Sequence, residues 1–325
     1  MNWKRSMMML ALGLGALVGI AGCGNNANNG MKQVGVIQLV EHPALDAANK
    51  GFVQALADQG FKEGETVQID QQNAQADQSN LNSIAQRFTS DRKDLVLAIA
   101  TPAAQTMANA SHDIPIVGTA ITDYVQAKLV KSDEKPGTNV TGTSDASPVD
   151  QQVDLILAIK PQTKKIGIVY SSSEVNSQIQ AEKMKAYAAT KGVEVVEVTV
   201  SNVNDIQQAA QNLVAQNVDA VYTPTDNVVA SAIGNLVAIT DAAKIPVFPA
   251  EEGQMKGGGV ASYTVDYEKL GYQAGLMAAK ILKGEAQPED MPIETATELK
   301  LVINPEKAAQ LGLTIPQDLL AKAAK

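Results

Sequence analysis

The sequence predicts an α/β protein made of two Rossmann-like lobes with parallel sheets. Short apolar runs alternate with helical patterns from Gln33 onward, and the alternation comes in two series with matching landmarks. A chain of 325 residues also suits two domains of roughly 150 residues each.

The first series opens with a strand at 34–37, where Val34, Val36 and Ile37 form the apolar run. Pro43 then starts a helix on which Leu45, Ala48, Phe52, Ala55 and Leu56 share a stripe, and Gly60 ends it. A strand at 67–69 follows, then a helix with Leu81, Ile84, Ala85 and Phe88 on one face. The run 95–100 is apolar throughout and reads as a strand buried on both sides. Thr101-Pro102 turns it into another helix, and 114–117 closes the unit. The second series repeats the order: a strand at 166–170, a helix through Ile179 and Tyr187, a strand at 193–200, and a helix bearing Ile206, Ala209, Ala210 and Leu213. Local detail repeats as well. Asp94 to Pro102 matches Asp219 to Pro224, and Ile114-Pro115-Ile116-Val117 matches Ile245-Pro246-Val247-Phe248, which reads as an internal structural repeat.

Ahead of both series, Lys4 and Arg5 precede an apolar run at 7–20 that ends in Ala21-Gly22-Cys23, a signal-peptide layout. The run is shorter than the roughly 20 apolar residues of a spanning helix. Ile20-Ala21-Gly22-Cys23 resembles a bacterial lipobox, so residues 1–22 are expected to be removed and Cys23, the only cysteine, to carry lipid and hold the chain to the membrane. Residues 23–32, rich in Asn and Gly, read as a flexible tether.

Composition narrows the chemistry. Hydrophobic residues at 45% and charged residues at 19% are those of an ordinary globular protein. A net charge of -9 without a basic run argues against a nucleic-acid partner. There are two histidines, His42 and His112, with no HExxH motif, and no GxSxG nucleophile elbow, so neither a zinc site of the usual spacing nor a serine hydrolase is indicated. No metal and no cofactor are expected. Gly257-Gly258-Gly259 lacks the Lys-Ser/Thr pair of a phosphate loop and reads as a flexible crossing between lobes.

In open parallel sheets, ligands bind beyond the carboxyl ends of the strands. That rule selects Glu41, His42, Thr101, Pro102, Ala103, Thr122 and Asp123 from the first half, and Asn176, Ser177, Thr225, Asp226, Asn227 and Glu251 from the second. No arginine is among them: Arg5 is in the leader, and Arg87 and Arg92 precede the strand at 95–100, at its far end. A bidentate guanidinium clamp on a carboxylate or phosphate is therefore not expected. Hydroxyls and backbone N–H groups at helix N-termini near Thr101 and Asn176 can hold a carboxylate, and Asp123, Asp226 and Glu251 can receive an ammonium. An amino-acid zwitterion meets both halves of that description. Asp226 has a second reading as a helix cap.

The stretches Val40-Glu41-His42-Pro43-Ala44-Leu45-Asp46, Ala120-Ile121-Thr122-Asp123, Thr225-Asp226-Asn227, and Asp266-Tyr267 with Leu270-Gly271 give the family likeness. From Gln33 to its end the chain resembles the tryptophan/tyrosine-type substrate-binding proteins of ABC importers, of the type I periplasmic-binding-protein fold. The resemblance implies three crossings between lobe 1 (33–144 plus 260–285) and lobe 2 (145–259 plus 286–325). It also implies a binding protein without enzymatic activity that closes on an aromatic amino acid outside the cytoplasm and delivers it to a permease with its ATPase. Tyr170 and Tyr263 then offer rings to stack on the ligand or close the pocket, or belong to the core. Two other readings stay open: a sensory co-receptor with the same fold, and a lipoprotein hydrolase using His42 as base.

Overall fold

A computed structural model of the chain describes residues 30–296 and 298–323. The expected signal peptide, the lipidated Cys23 and the tether as far as residue 29 lie outside the described residues.

The first sheet grows from β1 (Lys32–Gln38), β2 (Val67–Asn73), β3 (Leu95–Ile99), β4 (Ile116–Ile121) and β5 (Val140–Ser144), with helices α1 (Pro43–Asp58), α2 (Gln78–Ser90) and α3 (Thr101–Ala110) between the first four strands. The second sheet is carried by α4 (Val149–Ile159), β6 (Lys165–Ser171), α5 (Val175–Thr190), β7 (Glu194–Val200), α6 (Ile206–Ala215), β8 (Ala220–Thr223), α7 (Asn227–Ser231), α8 (Ile233–Ala242), β9 (Val247–Pro249) and α9 (Glu252–Lys256). The chain then crosses back and forth through β10 (Ala261–Thr264), α10 (Tyr267–Leu282), β11 (Glu294–Thr295), β12 (Lys300–Ile303), α11 (Pro305–Gln310) and α12 (Gln317–Ala323).

The first sheet runs β11-β5-β4-β3-β1-β2 and the second β7-β6-β8-β9, every pairing parallel. β10 and β12 form a separate antiparallel pair. A parallel strand needs a crossover to its neighbour, and here the crossovers are the helices, which leave the inner strands covered on both faces. β3 and β4 are buried at every position. β5 was not legible in the sequence: Val140-Thr141-Gly142-Thr143-Ser144 has no apolar run, yet it is buried throughout. Its hydroxyls are satisfied instead, with Thr141 Oγ1 donating to the Met291 carbonyl at 2.8 Å and Thr143 Oγ1 to Thr119 Oγ1 at 3.0 Å.

Two of the expected lobe boundaries shift. Val260 and Ala261 pack into the second lobe's core, because β10 pairs with β12, whereas Met291 joins the first core and β11 extends the first sheet beside β5. The glycines at 257–259 are likewise not a crossing. They end α9 inside the second lobe: Gly258 takes φ +124°, and a Cβ on Gly259 would lie 2.7 Å from Pro249 and Met255.

α10 is the last large piece of the first lobe, and it lies against α1 along a seam of small residues. A Cβ on Gly271 would run into the Ala48 carbonyl, one on Gly51 into the Glu268 carbonyl, and one on Gly275 would stand 2.6 Å from the Ala55 methyl. Backbone meets backbone there, with no flexible side chain to yield. Gly271→Val is expected to cost about 2–3 kcal/mol or more by overpacking. A denaturant titration checks this, and an unchanged midpoint would contradict the seam.

Candidate functional site

The carboxyl ends of both parallel sheets face one cleft, and side chains meet across it. His42 Nε2 lies 3.1 Å from Asn227 Oδ1, Thr122 Oγ1 lies 3.0 Å from Thr225 Oγ1, and Lys183 Nζ stands 4.0 Å from Asp123 Oδ2. Two of the strand ends that deliver these groups are strained: Ala100 has φ +82° and Ala120 φ +55°, backbone that costs a non-glycine residue on the order of 1–3 kcal/mol. The turn at Ala100 starts α3 abruptly and sets Thr101 at its first position; the one at Ala120 precedes Thr122.

Four carboxylates are buried at the cleft: Asp145, Glu174, Asp226 and Glu251. Three of them cap helices. Asp226 accepts from Val229 N at 2.9 Å, Ser171 N at 2.7 Å and Ser177 Oγ at 2.7 Å. Glu174 accepts from Asn227 N at 2.9 Å and Val228 N at 3.1 Å, so α7 begins against two acids. Glu251 accepts from Gly253 N and Gln254 N, each at 2.6 Å. Asp145, on the first crossing, accepts from Tyr267 Oη at 2.7 Å and Thr122 Oγ1 at 3.0 Å. Among the described residues, none of the four has a cationic side chain in ion-pair range.

Burial pushes all four carboxyls up, Glu251 to about 7. For Glu174 the nearby Asp226 charge adds to the effect of burial. Burial moves His42 the other way, below its usual value, so its imidazole is neutral at pH 7. A small cavity of about 10 Å³, room for roughly one water-sized group, sits where His42, Asp145, Asp226, Asn227, Glu251 and Tyr267 converge. Around the cleft, three buried polar atoms have no partner among the described residues: His42 Nδ1, Thr101 Oγ1 and Asn176 Oδ1.

Of the residues expected from sequence, the structure gathers His42, Thr122, Asn176, Ser177, Thr225, Asp226 and Asn227 into one hydrogen-bond network, with Glu251 in the cavity wall beside it, Thr101 and Ala103 buried at the start of α3 and Pro102 half-buried beside them. Asp226 is both a helix cap and part of the cavity wall. Four others stand apart. Glu41 is exposed. Asp123 is half-buried, spends its oxygens on Gln126 and faces Lys183. Tyr170 is packed in the second core with its hydroxyl on Glu197 of the neighbouring strand β7, and Tyr263 packs against the same core with its backbone bonded to Gln152. β-strand side chains alternate faces, and both rings fall on the core side, the second of the two readings they had in the sequence.

Sequence reasoning passed over Asp145, Glu174 and Gln180, and it met Tyr267 only in a stretch that gives the family likeness. Glu174 stood inside the selected loop, between Ser173 and Val175. Asp145 was hidden with the unrecognised β5 before it. Gln180 donates to Thr225 Oγ1 at 2.6 Å from one turn inside α5, beyond the reach of a loop-based rule.

The whole described body, two parallel sheets and a cleft between their carboxyl ends, matches known proteins closely. Residues 33–325 match the family model of ABC transporter substrate binding proteins. The chain belongs to that family. It is 42% identical, across 99% of each chain, to a tyrosine-binding protein of Clostridioides difficile (strain R20291). Among solved structures it resembles an ABC domain in complex with L-Trp from Streptococcus pneumonia, with TM-score 0.87, 41% identity, and 90% of this chain and 98% of that one covered. It also resembles the ligand-free, open structure of a substrate binding protein with adhesive properties from Clostridium difficile, with TM-score 0.67, 47% identity, and 89% and 97% covered. The fold is the type I periplasmic-binding-protein fold with three crossings, and the chain is a binding protein, not an enzyme. No described helix is long and apolar enough to cross a membrane.

The placement of Tyr170 is open to a direct check. Tyr170→Phe is expected to cost about 1 kcal/mol of stability through the lost bond to Glu197 while leaving ligand affinity within twofold of wild type. Calorimetry that found affinity lowered tenfold would return Tyr170 to the site.

Proposed function

We propose that this substrate binding protein captures a free aromatic amino acid, L-tryptophan or L-tyrosine, by closing its two lobes on the zwitterion. The observation that carries the reading is the group of four buried carboxyls at the cleft that no Lys, Arg or His among the described residues pairs with. Burying charge without a counter-charge is costly, and an α-ammonium group supplies the missing one. At the other pole, Thr101 presents a partnerless hydroxyl at the positive N-terminal end of α3, where a carboxylate is favoured. The aromatic side chain is suggested by the two relatives whose names state tyrosine and L-Trp.

Closure is the mechanism this reading requires. The chain overlays better on the L-Trp complex than on the ligand-free, open relative, although the latter is more similar in sequence. That ordering supports a closed arrangement of the lobes here, with ligand completing the contacts between His42 and Asn227 and between Thr122 and Thr225. The lipid on Cys23 anchors the protein outside the cytoplasm, and the closed form hands its ligand to a permease driven by an ATPase.

The only tryptophan, Trp3, lies in the proposed leader, so the processed protein has no tryptophan emission of its own. L-Tryptophan or L-tyrosine at about a hundred times its dissociation constant should stabilise the protein by about 2.7 kcal/mol, and bound L-tryptophan should emit further to the blue. An unmoved melting curve with both would sink the aromatic reading.

The sign of the pH dependence follows from Glu251. Its carboxyl is held up to about 7, and a cation favours the ionised form, so below that pH the ligand must displace a proton to bind. Affinity is expected to fall as pH is lowered from 8 to 5. Tighter binding on acidification would contradict the acid–ammonium contact.

A further inference from the structure

The amide of Asn227 lies between His42 and Glu174, and an ionised Glu174, whose Oε1 already accepts from two backbone N–H groups, fixes its orientation. Its Nδ2 donates to Glu174 Oε2, an oxygen that also accepts from Asn176 Nδ2 at 3.2 Å. Asn227 Oδ1 is therefore the atom that faces His42 Nε2 at 3.1 Å, and an amide oxygen can only accept. His42 must donate from Nε2. The buried ring is neutral and holds a single proton, so Nδ1 is left with a bare lone pair.

Nδ1 has no partner among the described residues, and its ring is only 6% exposed and lines the cavity of about 10 Å³. The hydroxyls that line the cavity are committed: Tyr267 Oη donates to Asp145 Oδ2, and Thr225 Oγ1 to Thr122 Oγ1, whose own proton goes to Asp145 Oδ1. The other titratable groups at the cavity, Asp145, Asp226 and Glu251, are carboxyls. When these carboxyls are ionised, acceptors crowd a space the size of one small head group, and a buried acceptor without a donor costs free energy until one arrives. A primary ammonium is the group of that size with three N–H donors.

We infer that His42, held as the Nε2–H tautomer by Glu174 acting through Asn227, accepts a hydrogen bond at Nδ1 from the ligand's α-ammonium group and so selects ligands that carry one. The inference rests on the amino-acid reading above and adds to it the residue that reads the amine. Glu174 and Asn227 are positioning residues on the second lobe, whereas His42 is on the first. The acceptor is consequently aimed when the lobes close, which ties recognition of the amine to closure. Removing the amine leaves Nδ1 unpaired in the closed form, and discrimination of that kind is large because a site built for a hydrogen bond rejects the analogue lacking it.

Two measurements test this. The sequence has only two histidines, and His112 is exposed, so heteronuclear NMR of histidine-labelled protein shows two rings, assigned with His112→Gln. With L-tryptophan or L-tyrosine bound, His42 is expected to be protonated at Nε2 with Nδ1 in an accepted hydrogen bond; a proton on Nδ1 overturns the inference. Calorimetry then compares each amino acid with its des-amino counterpart, indole-3-propionate or 3-(4-hydroxyphenyl)propionate. The wild type is expected to prefer the amine by at least about 100-fold. His42→Gln can still donate to Asn227 but has no acceptor at the Nδ1 position, and it is expected to lose about tenfold of that preference. An unchanged preference with tryptophan or tyrosine bound removes the role of His42 and leaves the aromatic reading intact. Binding of a different L-amino acid only, with an amine preference that depends on His42, removes the aromatic reading and keeps this one. Failure of every amino acid to bind removes both.

Discussion

The arrangement of the cleft depends on carboxylates that cap helix N-termini in place of solvent. α7 begins in the protein interior, where its first N–H groups would be orphaned, and Glu174 and Asp226 take them up. The same two acids then organise their surroundings: Asp226 draws in Ser171 and Ser177, and Glu174 draws in the amides of Asn176 and Asn227. Burial raises both carboxyls, because the N–H dipoles offset only part of the lost hydration. A structural need, starting a helix without water, has therefore left carboxyl groups at the place where the lobes meet. In the reading proposed above, the binding chemistry is a by-product of that capping.

Most of the fold was legible because parallel strands buried on both faces and amphipathic helices have different periods. The stripe Leu45, Ala48, Phe52, Ala55 and Leu56 and the apolar run of β3 both appear where the spacing put them. β5 was missed because Thr and Gly build it, and their fitness for the interior comes from hydroxyl partners on β4 and the Met291 carbonyl, which no local pattern encodes. The shifted boundaries have a similar origin. Whether Val260 belongs to one lobe or the other depends on β12, some forty residues further on.

The site was legible to the extent that it lies on loops at strand ends. His42, Thr122, Thr225, Asp226 and Asn227 were selected by topology, and the fold brings them together at the cleft. For the tyrosines the sequence left core and cleft open, because a residue near a strand's end can face either, and one step of alternation decides which. Asp145 and Glu174 were passed over for the opposite reason: an acid at the end of a serine run or after an unremarked strand looks like ordinary surface, and only its burial distinguishes it. Sequence supplies the residue type, whereas the dielectric around it is a property of the folded molecule.

The seam between α1 and α10 brings together segments separated by more than two hundred residues of chain. The second lobe is likewise closed only by β12 and the helices after it. Neither lobe is therefore a contiguous stretch that can mature while the remainder is still being made. Contacts of such long sequence separation form late and pay their loop-closure entropy in full. A chain with this wiring stays open to threading through a narrow passage until its last segments are through, and it then acquires both halves together.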